Sequence, residues 1–415
     1  MARKISFRYN DRVGNKKLIS NTKKIFFGSV MFIFAVVILI FISPTSHLAK
    51  RELRGASAIP HHNLIDTQIS QYSDKNITKN AIVTNSEFKN IAFDNVPNQS
   101  FFSNQIATVV RSIESLTSPT KKEETKEYGS WVWTPIMQMT PEYIKSILSD
   151  AKANGINTMY VSVDTYLDIF VMEKGGEKDK QRQLFENILE NFIAGANQKG
   201  IKVDAEAGWQ NWAEAGNEYK AFAAASFVKN FNAAHQNKFR GFQYDIEPYM
   251  LDSYKKNEAA VLKNFVTLID QTENFLADND LRFSVVVPDF WDGKDGMTPQ
   301  FSYDNNNDYV FKHLLDILDK KPDSSIIIMS YRNLAVGDDG SIEVSSNEMQ
   351  TAKNHNTKIV IAQETGDVPP PYITFYNTSK KYLTRQINNI NAAFNANPNF
   401  GGIAVHYINT FLALK

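Results

Sequence analysis

The heptapeptide Gly241-Phe242-Gln243-Tyr244-Asp245-Ile246-Glu247 places two carboxylates two residues apart in a β-prone run. Side chains alternate along a strand, so Gln243, Asp245 and Glu247 share one face while Phe242, Tyr244 and Ile246 share the other. Two carboxylates on one face repel when both are ionised, and that repulsion raises one pKa. The outer one, Glu247, is then expected to hold its proton near neutrality as a general acid, with Asp245 charged behind it.

Other residues able to do chemistry close other β-rich runs. Asp164 ends TMYVSVD, Asp289 ends RFSVVVPD, Glu364 ends KIVIAQE, Tyr331 ends SIIIMSY, and GGIAVHYI carries His406 and Tyr407. A carboxylate after a strand often caps the next helix, and Asp164 and Asp289 suit that role best. Capping accounts less well for the whole set. All five tryptophans fall on the first β-rich run or just past the third and fifth. Aromatic rings around an acidic mouth suit a sugar, whose C–H faces stack on them while its hydroxyls bond carboxylates. Trp133, Trp209 and Trp291 are expected to serve in this way, and Trp131 and Trp212 to pack beneath loops.

The elements that must position these groups are legible as eight short β-rich runs between residues 130 and 408, separated by helical stretches such as Pro141–Ala153, Arg182–Lys199 and Glu258–Ala277. Alternating strands and helices build a parallel sheet, and eight such units predict an α/β fold of the (β/α)8 TIM-barrel type over residues 127–415. An open doubly wound sheet is the competing architecture, but no Gly-x-Gly-x-x-Gly follows the first strand. In a barrel the active site lies at the C-terminal ends of the strands, where the residues above fall.

With the barrel in place, Arg240–Glu247 resembles the fourth-strand Asp-x-x-Asp-x-Asp-x-Glu motif of the glycoside hydrolase family 18 chitinases and their relatives. Asp245 and Glu247 match its last two acids, while Arg240 and Gln243 replace the first two. Met329-Ser330-Tyr331 resembles the family's sixth-strand Met-x-Tyr-Asp, with Arg332 in place of the final Asp. Lys358–Ile361 and Gly401–Val405 resemble the seventh and eighth strands, with His406 where the family has a sugar-floor Trp. The resemblance implies a glycosidase acting on N-acetylated amino sugars, without a cofactor. Glu247 would protonate the glycosidic oxygen, Asp245 would orient the acetamido group, and Tyr331 would bind it. The N-acetyl oxygen then attacks the anomeric carbon, so no protein nucleophile is required. Gln243 could still hydrogen-bond Asp245 but could not share a proton with it.

The N-terminal part reads differently. Ile25–Ile42 is an uncharged apolar run, about 27 Å long as a helix and near the thickness of a bilayer core. Eight basic residues and one acid, Asp11, precede it, which predicts a cytoplasmic tail (1–24), a single-pass anchor (25–43) and everything beyond outside the membrane. A cleaved signal peptide is the alternative, but the small-residue triplet Ala56-Ser57-Ala58 lies far beyond the apolar run. Residues 44–126 read as a polar stalk, with an amphipathic helical pattern from Phe101 to Leu116.

Composition narrows the function further. The chain balances 45 basic against 45 acidic side chains, so removing its basic tail leaves an acidic body, ill suited to nucleic acid. It has no cysteine, and its seven histidines form no His-Glu-x-x-His, so a metal site is not expected. The expected partners are the membrane, through residues 25–43, and a polysaccharide or oligosaccharide substrate. Two alternatives stay open. One is a retaining enzyme using Glu247 as acid and Glu364 as covalent nucleophile. The other is a catalytically inactive carbohydrate-binding protein on a glycosidase scaffold.

Overall fold

The computed structural model describes residues 126–294 and 296–415. The tail, anchor and stalk expected for residues 1–125, including the amphipathic pattern, lie outside the described residues. Among those described, no helix is long and apolar enough to cross a membrane.

Among the described residues ten strands form in chain order: β1 Glu127–Val132, β2 Thr158–Ser162, β3 Lys202–Ala207, β4 Gly241–Tyr244, β5 Arg282–Pro288, β6 Phe301–Tyr303, β7 Asn306–Asp308, β8 Ser325–Met329, β9 Lys358–Glu364 and β10 Phe400–His406. Eight of them close into a parallel barrel in the order β1-β10-β9-β8-β5-β4-β3-β2. Such strands are covered on both faces, which is why β8 reads SIIIM and is buried throughout. Crossover helices return the chain from one strand to the next. Helix Pro141–Ala153 starts where the Thr140 side chain accepts the Tyr143 N–H and proline fills the first turn. It buries Ile144, Ile147, Leu148 and Ala151, one helical face, against the barrel.

β6 and β7 form a separate hairpin that hydrophobic alternation does not announce. Its turn residues, Asp304 and Asn305, have φ of 45° and 64°, a left-handed pair that short polar side chains tolerate.

The barrel interior is filled in tiers. At the N-terminal end, Arg240 bonds Asp204 at 2.6 and 2.8 Å, and both Arg240 and Arg282 reach Glu127, at 3.1 and 3.0 Å. Burial alone would lift the Asp204 carboxyl, but the two guanidiniums hold it below the usual carboxylate range. Above this plug lie Trp131, Tyr160 and Ile327, with the buried Gln243. The polar cleft opens at the top.

Candidate active site

The cleft at the C-terminal ends of the strands has a volume of about 490 Å³. Asp164 enters it after β2, Glu206 and Trp209 from the end of β3, Asp245 and Glu247 after β4, Tyr331 after β8, Glu364 from the end of β9, His406 from β10, and Trp133 after β1. All of these except Glu206 are expected from the sequence. Asp168 and Tyr249 also line the cleft and were likewise not anticipated.

Gly208 makes the close approach between β3 and β4 possible. A β-carbon there would collide with the backbone carbonyl of Asp245. The Gly208 N–H donates to Asp164 Oδ1 at 3.2 Å, which ties the ends of β2 and β3 together.

Four carboxyls crowd this corner. Burial pushes Asp164 up to about 7, opposed by the Gly208 N–H and the Ser162 hydroxyl. Glu206 is 1% exposed, and burial followed by the charges of Asp164 and Asp245 raises it well above the ordinary range. Burial, then Glu247, lifts Asp245 to about 8, and His406 works the other way. Burial also raises Glu247, opposed by a hydrogen bond from the Tyr249 hydroxyl and by His406. The expectation of a charged Asp245 behind a protonated Glu247 is therefore corrected. Burial pushes both toward the protonated form, and Asp245 Oδ1 has no hydrogen-bond partner among the described residues.

On the opposite wall, Trp133 Nε1 donates to His406 Nε2 at 3.0 Å, and His406 Nδ1 lies 2.8 Å from Glu364 Oε2. An indole N–H can only donate, so this contact is made by the neutral imidazole with its proton on Nδ1. Burial opposes protonation of His406, but Glu364, by its charge and its hydrogen bond, and then the charges of Asp245 and Glu247 outweigh it and raise the His406 pKa. The protonated ring is the form that opposes the rise of Asp245 and Glu247. Glu364 Oε1 accepts the backbone N–H groups of Thr365 and Gly366 at 2.8 and 2.6 Å. Both of its oxygens are thus engaged in holding His406 and the loop. Tyr331 stays a neutral hydroxyl, since burial and then the charges of Glu364, Asp245 and Glu247 all oppose its ionisation.

Four expected cleft residues lie elsewhere. Trp291 is fully buried, 5.2 Å from Phe265 between ring centroids, because the loop after β5 folds down onto the helix Glu258–Leu276. Asp289 pairs with Arg332 at 3.3 Å, a contact between the ends of β5 and β8. Gln243 points into the barrel, where it accepts from Trp131 Nε1 at 2.9 Å and donates to Ser284 at 3.3 Å, so its amide is directed away from Asp245. Tyr407 is not among the cleft residues. Its backbone meets Thr410 at the start of the helix Ile408–Ala413. Trp212 is buried in the loop after β3, as expected, whereas Trp131 is buried inside the barrel itself rather than beneath a loop. Arg332, the cation nearest in sequence to Tyr331, is taken by Asp289 and by Asp339 at 2.7 Å.

Fold and site together define a (β/α)8 barrel with an acidic, aromatic-walled cleft at the C-terminal mouth of its strands. No family model and no curated protein matches the chain. Among solved structures, it is similar to an endo-1,4-β-D-mannanase from Thermotoga petrophila RKU-1, with a TM-score of 0.47 at 12% identity over 68% of this chain and 88% of that one. A GH18 chitinase from Pseudoalteromonas aurantia gives a TM-score of 0.43 at 14% identity, covering 68% of this chain and 94% of that one. The PgaB (BpsB) glycoside hydrolase domain from Bordetella bronchiseptica gives 0.39 at 10% identity, covering 70% of this chain and 96% of that one.

Proposed function

We propose that the barrel is a glycoside hydrolase acting on a polysaccharide that contains N-acetylated amino sugars. The observation that carries this reading is the placement of Glu247. It lines the cleft beside Asp245 and Tyr331, its carboxyl is raised by burial, and its side-chain hydrogen bond comes from a neutral hydroxyl, that of Tyr249. Glu247 protonates the glycosidic oxygen as the C–O bond breaks. The acetamido oxygen of the same sugar closes onto the anomeric carbon, with Asp245 and Tyr331 holding the acetamido group. The Glu247 carboxylate then takes a proton from the water that opens the ring. Because the Glu364 oxygens are held by His406, Thr365 and Gly366, the substrate-assisted route is favoured over a covalent intermediate on Glu364.

A hydrolysis screen over amino-sugar polymers, with Glu247→Gln beside the wild type, tests the reading. Turnover by the wild type and a loss of at least about a thousandfold in the variant, with binding retained, are expected. A thiazoline inhibitor should bind the wild type. Absence of turnover across the panel, with binding intact, would instead favour a carbohydrate-binding protein. We also place the barrel outside the membrane, anchored through residues 25–43. Protease treatment of intact cells and of lysed cells checks this, because only an external barrel is digested in both.

A further inference from the structure

The aromatic wall of the cleft is held by an acceptor that a proton can remove. Trp133 is half-buried after β1 and lines the cleft. Among the described residues its indole N–H is held by His406 Nε2 at 3.0 Å, with the two rings 5.7 Å apart between centroids and inclined at 62°. The imidazole meets Glu364 Oε2 through Nδ1 at 2.8 Å, and Glu364 is fixed in turn by the Thr365 and Gly366 N–H groups. This geometry serves one protonation state only. A proton added at Nε2 sets two N–H donors against each other, and neither can accept. The Glu364 bond survives the change, because Nδ1 donates in both states and donates more strongly from the charged ring. His406 therefore stays in place, and the indole is the partner that leaves.

The surroundings bring that proton within reach. Glu364 faces the ring from β9, and Asp245 and Glu247 act on it from the end of β4. Tyr331 faces it from the end of β8 with ring centroids 6.2 Å apart, Tyr407 follows it in the chain, and Trp131 of β1 packs at 5.7 Å. Burial opposes the charged ring, and Glu364, then Asp245 and Glu247, favour it. We infer, resting on the glycosidase reading above for its effect on turnover, that His406 is a positioning residue whose protonation unlatches Trp133, so that the aromatic wall for the sugar is assembled only while the ring is neutral. Loss of the same proton also bears on the acids. The charged ring opposes the lift that burial gives Asp245 and Glu247, so neutralising it lets Glu247 keep its own proton as the wall locks. A sugar stacked on the locked indole favours the neutral ring, and its binding draws the proton off His406 by linkage.

Tryptophan emission of the full-length chain, titrated without ligand from about pH 5 to about pH 9, reads the latch directly, and Trp133→Phe supplies the Trp133 share by difference. A one-proton transition above the ordinary imidazole value of about 6.5 is expected. His406→Gln should abolish it, because an amide donates to Glu364 and accepts from the indole at every pH. On amino-sugar oligomers kcat/KM should fall about tenfold or more below that transition, with the loss in KM, and Trp133→Phe, which has no N–H to release, should lose this acid limb. Nitrogen-15 NMR of labelled histidine in the wild type should show a ring that carries its proton on Nδ1 above the transition and titrates with the emission. This readout does not depend on a variant folding, and absence of such a ring would overturn the latch. So would an emission difference that is flat with pH, or a transition that persists in His406→Gln; oligomer cleavage beside either result would leave the glycosidase reading standing. A transition that His406→Gln abolishes, with no cleavage of any oligomer, would retain the latch and remove the hydrolysis. Neither transition nor cleavage would overturn both.

Discussion

Tyr249 is the residue on which the acid function of Glu247 most directly turns. Its hydroxyl donates to the Glu247 carboxylate and so favours the ionised form, against the pull of burial. Tyr249→Phe removes that donor, so the alkaline limb of the kcat/KM profile is expected to move to higher pH. A limb that stays put or moves down would separate Tyr249 from the proton donor. On the other wall, His406→Ala leaves the Trp133 indole N–H and one Glu364 oxygen without partners. Trp133 then loses its fixed orientation. A fall in kcat/KM of about 10–100-fold, expressed mostly in KM, is expected together with a shift in tryptophan emission.

Elements position these residues through close backbone contacts. The β3–β4 pair brings Asp164, Glu206 and Asp245 together because Gly208 has no side chain to hold the Asp245 carbonyl away. Gly208→Ala is therefore expected to lower kcat by about a hundredfold or more, with a smaller loss of stability measured by thermal melting. At the other end of the barrel, Arg240 occupies the first position of the motif-like octapeptide but serves the fold. With Arg282 it neutralises the buried Asp204. Arg240→Met leaves that charge poorly compensated, and urea unfolding at neutral pH should show a loss of about 3–5 kcal/mol. A second change, Asp204→Leu, should restore much of it. The missing acid at position 240 thus bears on stability rather than on chemistry, since the residue lies at the closed end of the barrel.

For the whole molecule, the two ends of the barrel respond oppositely to pH. Asp204 has a lowered pKa in the fold, so its contribution is present above its unfolded value and is lost as pH falls through the folded one. Asp164, Glu206 and Asp245 are raised, to about 7 and about 8 for the two aspartates, so the folded state binds more protons than the unfolded chain from about pH 4 upward. Their contribution is full below the unfolded pKa and is lost as pH rises through the folded values. The urea midpoint is therefore expected to peak on the mildly acidic side and to decline toward about pH 8.5. Glu206→Gln should flatten that decline, stabilising the protein on the order of 1–3 kcal/mol near pH 8.5 and little near pH 4.5.

Local periodicity made the barrel legible, because strands covered on both faces must be apolar and must alternate with helices that cover them. It also located Asp164, Asp245, Glu247, Tyr331, Glu364 and His406, since the end of a parallel strand is where a barrel opens. Glu206 shared that signal, standing two residues after Asp204 on one face of β3 and two before Gly208, just past its end. It was obscured because a carboxylate inside a strand shows its neighbours only once that strand lies between β2 and β4. Trp209 and Trp291 look alike in sequence, each following a strand end, yet one walls the cleft and the other is buried against Phe265. Asp289 found Arg332 across two strands, and Glu364 was claimed by His406. The amino-acid sequence by itself determined which residues stand at the mouth of the barrel, since alternation and strand ends are properties of neighbours along the chain. Closure of the sheet and the course of its loops decided which of those residues meet one another, because such contacts join positions far apart in the chain.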